Sequence, residues 1–194
     1  MIGIIDYGAG NTRSLKNALE KLGQRYCMVR TPKELGCAHK VIFPGDGAAG
    51  AAMQSLLESD LVEAIPRLKI PFLGICIGLQ LLAEFSDENS VECLSVIPGK
   101  VRRFDTTLKV PHMGWNRVRF TGKFPLARGI KNGSYFYFVH SYYFDAPQEI
   151  VYGETVYGRN FPSCIAYKNF YAVQFHPEKS GGAGLKLLSN FCAL

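Results

Sequence analysis

Two stretches of this sequence carry residue types and spacings able to do covalent chemistry. Gly74-Ile75-Cys76-Ile77-Gly78 places a cysteine between glycines where an apolar run gives way to a helical pattern. It has the form of the G-x-S-x-G nucleophile elbow with sulfur in place of the hydroxyl. On a tight strand-to-helix turn the nucleophile projects clear of the sheet. The following helix begins at Ile77, and its free N–H groups and dipole favour a thiolate at Cys76. The N–H of Ile77 is then placed to stabilise the oxyanion on a carbonyl attacked by that sulfur. The competing reading is a core cysteine whose flanking glycines only let a helix pack on a sheet, and the pentapeptide alone does not choose between them.

A cysteine nucleophile needs a base, and the histidines are His39, His112, His140 and His176. His176-Pro177-Glu178 is the most useful of their contexts. Pro177 biases His176 towards extended geometry, and in an extended chain residues i and i+2 share a side. Glu178 can then hold the tautomer of His176 and stabilise the imidazolium formed when Cys76 loses its proton. The competing reading is a solvated turn after a strand. A third stretch, Pro44-Gly45-Asp46-Gly47-Ala48-Ala49-Gly50, matches G-x-G-x-x-G only weakly as a dinucleotide fingerprint, because it follows the second clear strand and Pro44 stiffens its entry. It reads better as a tight loop offering a second backbone N–H to an oxyanion.

The elements that must position these groups follow from periodicity. Residues 2–6, 41–43 and 70–75 are short apolar runs, which read as buried strands. Leu15, Ala18, Leu19 and Leu22 fall on one helix face with Gly23 as its cap, and 51–57, 61–65 and 77–85 also read as helical. Strand–helix alternation with continuous apolar strands implies a parallel sheet covered on both faces. The second half reads as strands at 100–104, 115–120, 135–139, 150–156, 164–167 and 171–175, with turns at Lys131-Asn132-Gly133 and Lys168-Asn169, and a last helix at 184–192. The fold expected is α/β: one domain, 1–194, with a central mostly parallel sheet flanked by helices and extra antiparallel strands in the second half. Open α/β sheets bind ligands at the carboxyl ends of their strands, which favours pairing Cys76 with His176.

Composition excludes several classes. The 194 residues are 47% hydrophobic and 20% charged, so neither a disordered nor a fibrous chain is expected. No run reaches the roughly 18 apolar residues of a membrane span. No basic stretch precedes the first apolar run, so no signal peptide is expected. The six cysteines form no C-x-x-C pair and suggest neither a zinc site nor a disulfide scaffold; apart from Cys76, most read as buried free thiols in a reducing, cytoplasmic compartment. Of the net charge of +6, residues 100–131 hold nine Lys or Arg against one acid. A solvated face and a docking surface for an acidic or phosphorylated partner are both open there. Nucleic-acid binding is not expected, since no stacking aromatics interleave with the charges in a known module.

The motifs together resemble the class I (triad) glutamine amidotransferases. The cysteine elbow Gly74-Ile75-Cys76-Ile77-Gly78-Leu79-Gln80 and Val173-Gln174-Phe175-His176-Pro177-Glu178-Lys179-Ser180-Gly181 are shared across that family. Asp6-Tyr7-Gly8-Ala9-Gly10-Asn11, Pro111-His112-Met113-Gly114-Trp115-Asn116 and Tyr137-Phe138-Val139-His140-Ser141-Tyr142 resemble its histidine-pathway glutaminase branch. The resemblance implies a catalytic triad of Cys76, His176 and Glu178, which hydrolyses glutamine through a γ-glutamyl thioester. It implies an oxyanion hole from Gly45, Asp46 and Ile77, and glutamine binding by Gly47, Gln80, His140, Ser141 and Tyr142. It also implies a heterodimer with the (β/α)8 cyclase subunit of imidazole glycerol phosphate synthase, docked through Asn11, Trp115, Tyr137 and Lys179, and no metal or organic cofactor. Outside the resemblance, Gln80 reads as an exposed helix residue, His140 as a satisfied strand-end histidine and Trp115 as a core aromatic.

One departure stands out. The family loop usually reads Pro-Gly-Val-Gly, and Asp46 takes the apolar place here. A carboxylate facing a developing oxyanion would oppose it, so the Asp46 side chain is expected to point outward, leaving only its backbone to the hole. A paralogous subunit feeding ammonia to another synthase, such as one of surface-sugar biosynthesis, is the alternative function. A stand-alone α/β-hydrolase fits less well, because there the acid precedes the histidine in the chain.

Overall fold

The structure, a computed structural model, describes residues 1–8, 12–105 and 107–194. Strand β1 (Ile2–Ile5) leads to helix α1 (Arg13–Lys21), β2 (Tyr26–Val29), α2 (Pro32–Leu35), β3 (Lys40–Phe43), α3 (Ala49–Glu58) and α4 (Leu61–Ala64). Next come β4 (Phe72–Ile75), α5 (Ile77–Gln80), β5 (Phe85–Ser86), β6 (Val91–Glu92) and β7 (Lys100–Arg103). The remainder is β8 (His112–Arg117), β9 (Arg119–Phe120), β10 (Tyr135–His140), β11 (Tyr142–Asp145), β12 (Val151–Tyr157), β13 (Arg159–Tyr167), β14 (Phe170–Val173) and α6 (Gly181–Cys192).

The largest sheet runs β2-β1-β3-β4-β14-β13-β12-β9. Its first five strands are parallel and its last three antiparallel, so the chain is an α/β fold with an antiparallel extension. Period-2 alternation sorts the apolar strand residues onto two faces. Ile4, Ile42, Leu73 and Ile75 join Leu15 and Leu19 of α1 and Leu187, Leu188 and Phe191 of α6 in one core layer. Ile5, Val41, Phe43 and Phe72 join Met53 and Leu56 of α3 and Leu61 of α4 in the other. Each such side chain stabilises the fold by about 1.5–3 kcal/mol relative to exposure. Both faces of the parallel part are therefore covered, as continuous apolar strands require.

Several elements differ from the sequence expectation. The predicted helix over 77–85 is a single turn, after which the chain enters β5. Leu79, Leu81, Leu82 and Ala83 are all fully buried, so a periodic apolar pattern could not separate a helix from a tightly packed irregular segment. Strands β2, β5, β6 and β11 carry too few residues, or too mixed a pattern, to announce themselves. β11, β7, β5 and β6 form a second sheet, while β8 and β10 make a separate two-stranded ribbon. No helix among the described residues is long and apolar enough to cross a membrane.

Topology places the site. β3, β4 and β14 are adjacent and parallel, so their carboxyl ends open on one edge. From that edge leave the Pro44–Gly47 loop, the Cys76 turn and the His176 segment.

Candidate active site

The elbow is built by close approach rather than by flexible glycines. β4 is wholly buried and ends at Ile75. Cys76 then adopts φ +50°, a conformation that L residues rarely take, and one that marks backbone strain at a functional position. A Cβ on Gly74 would lie 2.5 Å from the Gly78 carbonyl oxygen, and one on Gly78 would lie 2.5 Å from that of Phe43. A Cβ on Gly45 would meet the Ile75 oxygen at 2.6 Å and the Cys76 Cβ at 2.7 Å. Only hydrogen fits at these three positions, and the cysteine sits where they converge. With α5 only one turn long, the field expected from a helix dipole reduces to the unpaired N–H groups of its first residues, Ile77 among them.

The β4–β14 register brings up His176. Val173 pairs with Ile75, and the Cys76 N–H donates to the Val173 carbonyl at 2.8 Å. The His176 N–H donates to the Tyr137 carbonyl at 2.8 Å, and Pro177 then opens a 3₁₀ turn that swings Glu178 back. His176 Nδ1 lies 2.7 Å from Glu178 Oε1, which fixes the tautomer and turns Nε2 towards Cys76. The contact with sulfur is loose: Nε2 makes no bond of ordinary hydrogen-bonding length, as is common before substrate arrives. Burial alone would hold the imidazole neutral. The charge of the Cys76 sulfur, together with the charge and the 2.7 Å hydrogen bond of the Glu178 carboxylate, outweighs burial and lifts the His176 pKa to about 10.

Cys76 opens into a cleft of about 260 Å³, a size suited to a small ligand. Gly47, Ile77, Gln80 and Glu88 form one wall, and Val139 to Tyr142 the other. All five residues expected to bind glutamine thus border one space with Cys76. A larger hollow, about 640 Å³, lies between the Pro125–Ala127 turn and the end of α6 and contains none of the triad.

A model of the glutamine amidotransferase class-I family matches residues 3–193. The chain belongs to the class I glutamine amidotransferases. It is 48% identical to "Imidazole glycerol phosphate synthase subunit HisH" of Methanocaldococcus jannaschii, over all of both chains. It is 47% identical to the Bacillus cereus protein of the same name, over 98% of this chain and 93% of that one. Among solved structures, a glutamine amidotransferase aligns with TM-score 0.78 at 20% identity, covering 99% of this chain and 97% of the other. PurLQS from Thermotoga maritima aligns with TM-score 0.73 at 17% identity over the same shares, which speaks for the fold alone.

The geometry of this amidotransferase revises several expectations. The N–H of Asp46, assigned to the oxyanion hole, instead donates to the Tyr7 hydroxyl at 3.2 Å, and the same hydroxyl bonds the Asp46 carbonyl. Tyr7 thereby closes the backbone of Asp46 on itself, and Gly47 rather than Asp46 reaches the cleft. The Asp46 carboxylate lies 3.9 Å from Lys179 Nζ. His140 has no ring nitrogen left for a ligand. Nδ1 donates to the Tyr142 carbonyl at 2.7 Å, and Nε2 lies 3.0 Å from His112 Nδ1. His112 Nε2 in turn accepts from Asn116 at 3.2 Å. The buried His140 ring is therefore a strut within the cleft wall.

Gln80 is buried, not exposed, and its amide nitrogen is engaged inside the protein. Trp115 is 56% exposed and makes an edge contact with Tyr137, at 6.2 Å between ring centroids, so it is not a core aromatic. Asn11 lies outside the described residues. Of the five cysteines besides Cys76, two, Cys93 and Cys164, are buried, Cys27 and Cys192 are half-buried, and Cys37 is exposed, so the expectation that most would be buried holds for two of the five. Glu88, Gln174 and Tyr7 are parts of the site that sequence reasoning missed. Glu88 sits inside no recognised motif, Gln174 lies within one without a role of its own, and Tyr7 belongs to a loop that the resemblance assigns to the docking face instead.

Proposed function

We propose that this chain is the glutaminase subunit of an imidazole glycerol phosphate synthase, with Cys76, His176 and Glu178 as its triad. The observation that carries the reading is the Cys76–His176–Glu178 arrangement on a cleft sized for one amino acid, in a chain that matches the HisH relatives over its full length. The Cys76 thiolate attacks the side-chain carboxamide carbon of glutamine. The tetrahedral oxyanion collapses to a γ-glutamyl thioester as His176 protonates the departing ammonia. His176 then takes a proton from water, which attacks the thioester and releases glutamate and the Cys76 sulfur. Glu178 holds the imidazole and offsets its positive charge throughout.

Substrate recognition follows from the cleft wall. The Glu88 carboxylate, which accepts from the Ala49 N–H at 2.9 Å, supplies the charge complement for an α-ammonium group. Ser141 and Tyr142 border the opposite side, beside the expected carboxylate end. The Ile77 N–H serves the oxyanion, together with a backbone N–H of the Gly45–Gly47 loop once the Tyr7 contact with Asp46 is released.

The ammonia goes to a (β/α)8 cyclase partner. Met113, Trp115 and Tyr135 stand exposed on the outer face of the β8–β10 ribbon, beside Tyr137. The same ribbon supplies the Val139 carbonyl near Cys76 Sγ and the Tyr137 carbonyl to His176. An apolar, aromatic ridge continuous with the catalytic wall is the docking face, because it closes the mouth of the cleft against loss of ammonia. A thiol nucleophile must stay reduced to act, which supports a cytoplasmic setting.

Glutamate release by the purified chain, alone and with the cyclase and its ribonucleotide substrate, tests this reading. Strong activation by both, abolished in Cys76→Ser, is expected. Turnover that ignores the cyclase would move the function to another synthase.

A further inference from the structure

Gln174 is wholly buried, between Val173 and Phe175, on a segment that otherwise calls for apolar side chains. A buried carboxamide is costly unless its donors and acceptor are used. Its Oε1 accepts from Gln80 Nε2 at 3.1 Å, and its Nε2 lies 3.6 Å from Cys76 Sγ. Its backbone N–H is occupied elsewhere, by the Ser163 carbonyl at 3.0 Å.

The direction of this amide is forced. A backbone carbonyl can only accept, so the Gln80 group 2.9 Å from the Tyr142 oxygen must be the NH₂. That same nitrogen faces Gln174, which must present its oxygen in return. The NH₂ of Gln174 is then left pointing at sulfur. The reversed amide would set N–H against N–H at one end and oxygen against a thiolate at the other. The Tyr142 carbonyl is itself held by His140 Nδ1 at 2.7 Å. The series Tyr142, Gln80, Gln174, Cys76 thus carries a donor direction from a cleft-wall carbonyl to the reacting atom.

We propose that Gln174 is a catalytic residue that donates a side-chain N–H to the Cys76 thiolate, and that Gln80 is the positioning residue that keeps this donor aimed. The proposal rests on Cys76 being the nucleophile. The sulfur has one other polar neighbour on the ribbon side, the Val139 carbonyl at 3.8 Å, which can accept from the thiol but repels the thiolate. The Gln174 donor offsets that repulsion independently of His176.

The test is the pH dependence of iodoacetamide alkylation, followed by mass spectrometry at Cys76 with exposed Cys37 as the internal reference. In the native chain Cys76 is expected to react faster than Cys37 at neutral pH. Gln174→Met keeps the volume and removes the donor. It is expected to move the Cys76 midpoint up by about one pH unit, slowing alkylation below that midpoint by about tenfold. Gln80→Met frees the Gln174 amide to rotate and is expected to shift the midpoint in the same direction by less. If native Cys76 reacts no faster than Cys37, the nucleophile assignment itself fails. If Cys76 is fast and Gln174→Met leaves its profile unchanged, that assignment stands and the role of Gln174 is overturned. Should circular dichroism show Gln174→Met unfolded, Gln80→Met decides alone, an unshifted profile again overturning the proposal.

Discussion

Glu178 does more than hold a tautomer. With a pKa of about 10, His176 is protonated across the neutral range and can meet departing ammonia as an acid. Glutamine turnover is therefore expected to stay level through neutral pH and to fall as pH rises through about 10, where the ring loses its proton. Glu178 is among the groups that raise this pKa, so Glu178→Gln is expected to move the alkaline limb down by about one pH unit or more. Initial rates of glutamate release across pH, for both proteins in the presence of cyclase, check the sign. An upward or absent shift would remove Glu178 from that role.

The elbow and the ribbon each depend on contacts that a single atom can spoil. Gly78→Ala would drive a Cβ to 2.5 Å from the Phe43 oxygen, backbone that cannot step aside. The expected cost is about 1–3 kcal/mol of stability, read from denaturant melts, together with slower Cys76 alkylation. On the ribbon, His112 and His140 share a buried bond, and burial lowers their pKa values to about 4 and about 3. Both are neutral in the fold, whereas an unfolded histidine binds a proton near pH 6.5. The unfolded chain therefore holds more protons between that pH and about 4, and acidification across this window favours unfolding. A loss of about 2 kcal/mol per ring, about 3–4 kcal/mol for the pair, between pH 7 and pH 5 is expected, with no titration of either ring by NMR over that range. A ring that titrates near pH 6.5 would show that the Asn116–His112–His140 series is open to water.

The whole molecule is asymmetric in what it exposes. Three of the eight large apolar side chains that stand exposed among the described residues, Met113, Trp115 and Tyr135, share the β8–β10 ribbon, which also supplies Val139 and His140 to the cleft wall. Within the basic segment 100–131, which includes β8, Arg102 pairs with Asp145, Arg119 with Glu154, and Arg117 bonds the Tyr135 hydroxyl. Trp115→Ala is expected to weaken binding to the cyclase by about thirtyfold, as loss of an aromatic hot spot does, while the rate of the isolated chain is unaltered. Calorimetric titration with the cyclase measures the first and glutamate release the second. Unchanged affinity would move the docking face elsewhere.

What the sequence determined by itself was local and covalent in origin. Short apolar runs marked β1, β3 and β4, glycine spacing marked the elbow, and Pro177 with an acid two residues after His176 disclosed the His–Glu pair. Those signals survive because each arises within a few residues. The roles of Asp46, His140 and Gln80 could not be read in this way, because each depends on a partner far along the chain. Tyr7 ties up the N–H of Asp46 across 39 positions. His112 occupies the ring of His140 across 28. Gln80 meets Gln174 across 94, and that meeting aims a donor at a sulfur neither residue adjoins in sequence. Hydrogen-bond direction is a property of assembled partners, so only the tertiary structure decided which polar groups remain free for a ligand and which already serve the protein.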